Sequence, residues 1–445
     1  MIFVYHKGMK NINYLTDNQI YDVIIVGAGA SGLFAAASAD FHANGNASDY
    51  AKNNASSFGD GSFKGLILEK TPRAGTKLLM SGSGQCNITH AGSIKEFVNC
   101  YGDKGKKIRS CLYKHSNIKL MEFLEENGVE VYTREDGKVF PVSMDAHDVL
   151  YMLLKLTKRN GFEIKYNSAV TAIKPLEVDT LSCSPLWEIA CGEKLYIARS
   201  IIIATGGCSY PTSGSDGSMF KVLSDSLNIN ITELKPSLTP IQVNEYPYSE
   251  LSGIAFENIH TSIWNGDKKI AETCEDLLFT HKDLSGPSII NISKYAVPGY
   301  KLKINYLYPN NYEQVIGQLK SATQGNKSSI SNILSDEFNL PKRFCQMLIE
   351  RHGEALKKLA QALTGETFTI NSVSGFNKAM ATAGGIDLSQ IDMATFGFKE
   401  YPGLYAIGEA LDVDGITGGY NLQFAYSAAK AVVSNLFQNS FHNLR

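Results

Sequence analysis

Residues 21–39, YDVIIVGAGASGLFAAASA, constrain the fold more than any other stretch of this chain. The run Val23 to Val26 is apolar, rich in β-branched residues and too short for a helix, so it reads as a buried parallel strand. It passes directly into Gly27-Ala28-Gly29-Ala30-Ser31-Gly32 and then into an alanine-rich segment of high helix propensity. A G-x-G-x-x-G pattern carries meaning only between a strand and a helix, and both flank it here. Gly27 permits the sharp turn, Gly29 leaves room for a pyrophosphate against the backbone, and Gly32 lets helix and strand pack closely. Ala30 and Ser31 open the helix, whose free N–H groups and positive dipole end face the phosphates. The expected class is therefore α/β, with a Rossmann-like dinucleotide-binding domain.

The 445 residues are enough for two or three domains. The net charge of −2 offers no basic footprint, so no nucleic-acid partner is expected. No apolar run approaches the roughly 18 residues of a membrane-spanning helix, and residues 1–20 lack a signal-peptide pattern and read as a leader. The eight cysteines are scattered, with no C-x-x-C and no metal-ligand spacing, which points to reduced thiols in a cytoplasmic protein without a metal centre. Cys86 and Cys208 read as small packed residues rather than a redox pair.

The second strand arrives late, at Leu66-Ile67-Leu68, after a polar insertion over residues 42–64. Glu69 at its end stands where an acidic residue hydrogen-bonds ribose hydroxyls, with Lys70 beside it. Residues 71–90, TPRAGTKLLMSGSGQCNITH, then place Lys77 ahead of a small-residue turn, Ser81-Gly82-Ser83-Gly84, followed by Gln85, Cys86 and Asn87. A cation beside a flexible glycine backbone suits close approach to a phosphate or a flat ring.

This last motif, G-T-K-L-L-M-S-G-S-G-Q-C-N, resembles the G-x-K-L-L-x-S-G-G-G-R-C-N of a flavoprotein family. That family of NAD(P)/FAD-dependent oxidoreductases includes aminoacetone oxidases and bile-acid enone reductases. Gln85 replaces the family's usual Arg, which removes a cation from the motif. Residues 279–287 are similar to the family's F-T-H-x-x-L-S-G-P, and residues 408–423 to G-E-x-L-D-V-D-G-x-T-G-G-Y-N-L-Q. The resemblance runs from about Tyr21 to Lys430. It implies non-covalent FAD in a domain of the two-dinucleotide-binding-domain type, interrupted by a β-rich domain.

On that reading the FAD-binding domain spans 21–211 and 373–445, and the β-rich insert spans 212–372 with a helical subdomain at about 311–362. The adenine-side strand is expected within Lys165 to Ile173, with Val170 meeting the adenine, and a hairpin around Trp187 follows. The strand ending in Ala204-Thr205-Gly206 closes over the cofactor. Gly408, Glu409 and Asp412 hold the ribityl chain and phosphate. Gly418, Gly419, Asn421 and Leu422 open a helix facing the pyrimidine edge, where reduction places negative charge.

The expected activity is hydride transfer between flavin N5 and a small organic substrate. Reduction of an activated C=C bond comes first, with NAD(P)H as a transient donor, since no second dinucleotide fingerprint is present. An oxygen-dependent amine oxidase is the alternative; the reading from another class is a non-catalytic FAD sensor or structural flavoprotein, or one that serves RNA modification as some related flavoproteins do, against which the near-neutral charge and lack of basic clusters count. Tyr210, His281 and Tyr420 are the candidate proton donors, although a loop histidine more commonly just holds its turn. Oligomeric state is left open.

Overall fold

The computed structural model describes residues 3–4, 19–39, 63–176, 178–179 and 185–438. The leader assigned to 1–20 and the loop assigned to 42–64 therefore lie almost wholly outside the described residues. The chain divides into two compact units, Met1–Leu234 with Ala381–Arg445, and Lys235–Met380.

In the first unit five parallel strands stand in the order Leu404–Ala406, Lys194–Ile203, Ile20–Val26, Gly65–Leu68, Phe162–Lys165. The first and last segments of the chain thus meet in one sheet. The β-branched run forms the centre, and Ile24, Ile25, Ile67 and Ile201 are inaccessible to water. Val26 is in register with both Leu68 and Ile203, and Ile203 with Ala406. The loops after these four strands therefore leave the sheet side by side, at the edge where α/β folds bind ligands. Helix Ala30–Ser38 covers one face and buries Leu33, Phe34 and Ala35 against helices Ala146–Arg159 and Tyr420–Gln438.

Three local expectations need correction. No continuous strand covers Lys165 to Ile173: one ends at Lys165 and the next runs Ala172–Leu176. Asn167 takes a left-handed φ of 51°, and the N–H groups of Asn167 and Ser168 bond the carbonyls of Thr71 and Glu69, not a neighbouring strand. The hairpin of Leu186–Cys191 with Lys194–Ile203 turns at Gly192, so Trp187 lies within its first strand. Helix Ser218–Leu227 packs against Ala172–Leu176 in the first unit, so the second unit starts at Lys235, later than residue 212.

The second unit is a closed barrel of six strands, in the order Ile241–Val243, Leu284–Ser285, Lys268–Phe279, Ala255–Asn265, Lys301–Asn305, Glu366–Val373. Four helices between Tyr312 and Gly365 share its core, where Tyr248 stacks on Phe279 at 4.3 Å beside Phe344. Among the described residues no helix is long and apolar enough to cross a membrane.

Candidate flavin site

The loops at the carboxyl ends of the central strands build the site. Gly27 has a φ of 103°, and a side chain there would sit 2.7 Å from the Ala204 carbonyl oxygen. At Gly32 a Cβ would lie 2.0 Å from the Gly27 carbonyl oxygen. Gly29 differs: it is extended at φ −79°, caps helix Ala30–Ser38, and its Cβ direction meets no atom within 4 Å. As the cap, Gly29 adjoins the first helical N–H groups, those of Ala30, Ser31 and Gly32, which have no partner within the helix.

Glu69 is buried, and its carboxylate fixes this turn. One oxygen accepts the Ala28 N–H at 2.7 Å, and the other accepts the N–H and hydroxyl of Thr71, each at 2.8 Å. Val170 is half-buried two residues beyond Ser168, whose N–H is bonded to the Glu69 carbonyl. Lys70 points elsewhere: its ammonium pairs with Asp216 and donates to Ser218 at 3.1 Å, at the start of helix Ser218–Leu227.

The turn after helix Thr76–Leu79 is sharply curled. Gly82, Ser83, Gly84 and Cys86 all have positive φ, between 56° and 90°, and Ser81 anchors the turn through its hydroxyl to the Leu78 carbonyl at 2.6 Å. Left-handed backbone at two non-glycine residues, Ser83 and Cys86, costs on the order of 1 kcal/mol each. Gln85 and Asn87 are half-buried on it. The Cys86 thiol is inaccessible, and burial pushes its pKa up to about 11, so it is not a thiolate nucleophile. The seven described cysteines form no disulfide with one another.

Lys77 joins segments far apart in the chain. Its ammonium donates to the Ser209 hydroxyl and to Glu409 Oε2, the latter at 2.6 Å. Ser209 in turn donates to Glu409 Oε1 at 2.7 Å, and the Thr382 N–H reaches the same oxygen at 2.9 Å. The Thr382 hydroxyl accepts the N–H groups of Cys208 and Ser209. Ser209 lies in a Ser-Tyr-Pro run that resembles the family's sequence, whereas Thr382 stands in no metal, triad or phosphate spacing that would draw attention to it.

At the neighbouring strand end, the Ala204 N–H bonds Val26 and Gly206 adopts φ 70°. The hydroxyls of Thr205 and Ser215 are buried there with no hydrogen-bond partner among the described residues, and a Cβ on Gly206 would lie 2.9 Å from Ser215 Oγ. From the C-terminal segment, Gly408 (φ 64°) comes so near helix Ala30–Ser38 that a Cβ would stand 1.9 Å from Ser31 Oγ. Asp412 pairs with Lys104 at 2.5 Å. Burial alone would lower the Lys104 pKa, but hydrogen bonding and charge from Asp412 raise it. Asn421 clasps both backbone polar groups of Gly415, at 2.8 and 3.0 Å. Gly418 and Gly419 have φ of 119° and 90°, and Gly419 abuts the Thr89 backbone. Leu422 follows half-buried on the first turn of the helix.

The three candidate proton donors are placed differently. Tyr210 is half-buried beside Ser209, in a left-handed conformation at φ 53°. Tyr420 is buried: its ring stacks on His90 and meets Phe97 edge-on at 4.9 Å, while its carbonyl accepts the Tyr101 hydroxyl at 2.8 Å. His281 is exposed in the second unit, and its turn is held by Thr280 and Asp283 instead.

These residues fit a dinucleotide. Open space at Gly29 adjoins a helix start, and two hydroxyls without a partner among the described residues stand where the closing strand ends. A parallel sheet whose central strand ends in this glycine turn is of the Rossmann type, and the chain is an FAD-dependent oxidoreductase. The chain belongs to the HI0933-like family, whose Rossmann-domain description matches residues 21–435. It is 28% identical over 436 residues to the ribosomal RNA dihydrouridine synthase of Escherichia coli (strain K12), covering 94% of this chain and 98% of that one. It is 27% identical over 425 residues to the 3-dehydro-bile acid delta(4,6)-reductase of Clostridium scindens, covering 91% and 96%. Among solved structures, the 3-ketosteroid-delta4-(5alpha)-dehydrogenase of Rhodococcus jostii RHA1 aligns with a TM-score of 0.47 and 12% identity, over 95% and 99% of the two chains.

Proposed function

We propose that this flavoenzyme reduces a C=C bond conjugated to a carbonyl, with NAD(P)H as the electron donor. The observation that carries the reading is the pair of relatives that each span nine-tenths of the chain. Their names denote different substrates but one chemistry. Dihydrouridine is uridine with its ring C=C saturated, and a delta(4,6)-reductase saturates double bonds conjugated to a 3-oxo group. FAD, when bound, supplies a two-electron carrier that takes a hydride from the nicotinamide and passes it on. In the net reaction the β-carbon gains a hydride, the α-carbon gains a proton and NAD(P)H becomes NAD(P)+.

The chain's own groups have separable tasks in this reading. The Gly27–Gly32 turn and the start of helix Ala30–Ser38 hold the pyrophosphate, and Thr205 and Ser215 offer hydroxyls still to be bonded. The Lys77–Glu409–Ser209 cluster fixes the loop that carries Tyr210. Tyr210 is the first proton donor to test, because Tyr420 is walled in by aromatic rings. Anaerobic addition of NADH or NADPH should bleach the visible flavin band, and a conjugated enone or a uridine-containing RNA should restore it. Tyr210→Phe should bleach normally yet restore slowly. A flavin that stays oxidised with both nicotinamides, or that turns over only with amines and oxygen, refutes the proposal.

A further inference from the structure

Helix Gly105–Lys114 presents an outer face that folding does not explain. Over residues 101–119 the chain carries Lys104, Lys106, Lys107, Arg109, Lys114 and Lys119 against a single carboxylate, Asp103, although its net charge is −2. Ile108, Cys111 and Leu112 turn inward, and Lys106, Lys107, Arg109 and Lys114 turn to solvent. Lys104 is neutralised by Asp412, but among the described residues none of these four outward cations forms an ion pair. Lys114 suits the negative end of the helix dipole. Lys106 and Lys107 do not: they occupy the first turn, where positive charge is unfavourable and no acidic residue offsets it.

An aromatic ring lies within this face. Tyr113 is 44% exposed, with the Arg109 guanidinium 5.3 Å from its centroid, and Ile118 next to the helix end is 58% exposed. The positive field reaches neighbouring groups. His115 is pushed down to about 4 by burial and then by Lys114, Lys430 and Lys119. Asp387 is held low by the Ser389 N–H and then by Lys107 and Lys104. The segment leading into the helix is tied to the loop before Tyr420, since Lys104 bonds Asp412, Tyr101 bonds the Tyr420 carbonyl, and the Ile416 N–H bonds the Cys100 carbonyl.

We propose that this face docks RNA, with phosphates on Lys106, Lys107, Arg109 and Lys114 and a base on the Tyr113 ring. Unpaired cations that track a backbone, beside an arginine-flanked aromatic platform, are what single-stranded RNA binds. A membrane surface fits less well, because the helix spends its apolar face on the protein core. The inference rests on the C=C reductase reading and names RNA as the carrier of the reduced base. It reverses the expectation of no nucleic-acid partner, which averaged this patch against carboxylates elsewhere.

The test is fluorescence anisotropy of FAD-loaded full-length protein with a short labelled uridine-rich RNA. Four phosphate contacts predict a slope of log affinity against log salt of about −3, or roughly 50-fold weaker binding at 200 than at 50 mM salt. Replacing Lys106, Lys107, Arg109 and Lys114 by Ala should remove most of that slope, and Tyr113→Ala should weaken binding about tenfold with the slope kept. Should the fourfold variant lose its flavin, Lys106→Ala/Lys107→Ala takes its place, because removing those charges favours the helix. No RNA binding, an unchanged slope in the variants, or equal affinity for phosphatidylserine vesicles overturns the proposal. Binding is read without turnover, which separates the two readings. RNA bound by a protein that NAD(P)H cannot bleach refutes the reductase alone, and enone reduction without RNA binding refutes this inference alone.

Discussion

Two glycines of one turn should fail in opposite ways. Gly32→Ala places a Cβ 2.0 Å from the Gly27 carbonyl oxygen and 3.2 Å from Ile25 Cγ2. A carbon and an oxygen need about 3.2 Å, so helix Ala30–Ser38 must retreat by roughly 1 Å from the strand it covers. That helix buries seven of its nine residues, and such overpacking costs about 3 kcal/mol. Gly29→Val, by contrast, keeps an allowed extended backbone and its Cβ meets no protein atom, so only the cap preference is lost, about 1 kcal/mol. Its methyl groups enter the space where we propose the pyrophosphate binds. FAD affinity should fall at least about 100-fold, which removes roughly 2.7 kcal/mol of ligand-linked stability. The assay is thermal unfolding of apo and FAD-loaded protein, with the flavin absorbance after gel filtration. Gly29→Val should unfold near the wild-type apo temperature and emerge colourless, whereas Gly32→Ala should melt early even as apoprotein. A yellow Gly29→Val protein with a normal ligand shift would refute the assignment of the turn.

Other parts of the site make separate predictions. Glu409→Gln leaves Lys77 without its counter-charge in a half-buried setting and should cost about 1–2 kcal/mol, read from denaturant unfolding; a Lys77→Met partner change should recover part of it if the pair acts as a unit. His115 is neutral in the folded chain down to about pH 4 against an ordinary value of 6.5, so the unfolded state binds more protons between those values. Stability should therefore fall by about 2 kcal/mol as pH drops from 6.5 to 4, and His115→Leu should flatten that slope. Burial raises the Cys86 thiol to about 11, while Cys274 is exposed, so iodoacetamide at neutral pH should label Cys274 and spare Cys86, as peptide mass spectrometry would read directly.

What could be read from the sequence were features whose physics is local. The glycine turn, the strand before it and the helix after it lie within twenty consecutive residues, so pattern and propensity agree before any tertiary contact forms. The same holds for Gly418-Gly419 ahead of helix Tyr420–Gln438. Chemistry that depends on distant segments left no such trace. Lys77 and Glu409 are 332 positions apart, and nothing in either neighbourhood names the other. Tyr420 follows two glycines and looks like an available hydroxyl, yet Phe97, Tyr101 and His90 arrive from a separate stretch and enclose it. Residues 166–171 carry strand-forming Val170 and Thr171, but Asn167 turns left-handed and gives its N–H to Thr71, a partner over ninety positions back.

Charge shows the same limit most sharply. A net value of −2 sums the whole chain, whereas a polyanion meets only the charge within about a Debye length, ~10 Å at ordinary salt. A cation in a balanced sequence can be cancelled by a neighbour in space, as Lys104 is by Asp412, or stand alone, as Lys106 does. Only the folded chain separates the two cases. Partner class is therefore better judged from the cations a fold leaves unpaired than from composition, and among the described residues four of them stand on one helix, Gly105–Lys114.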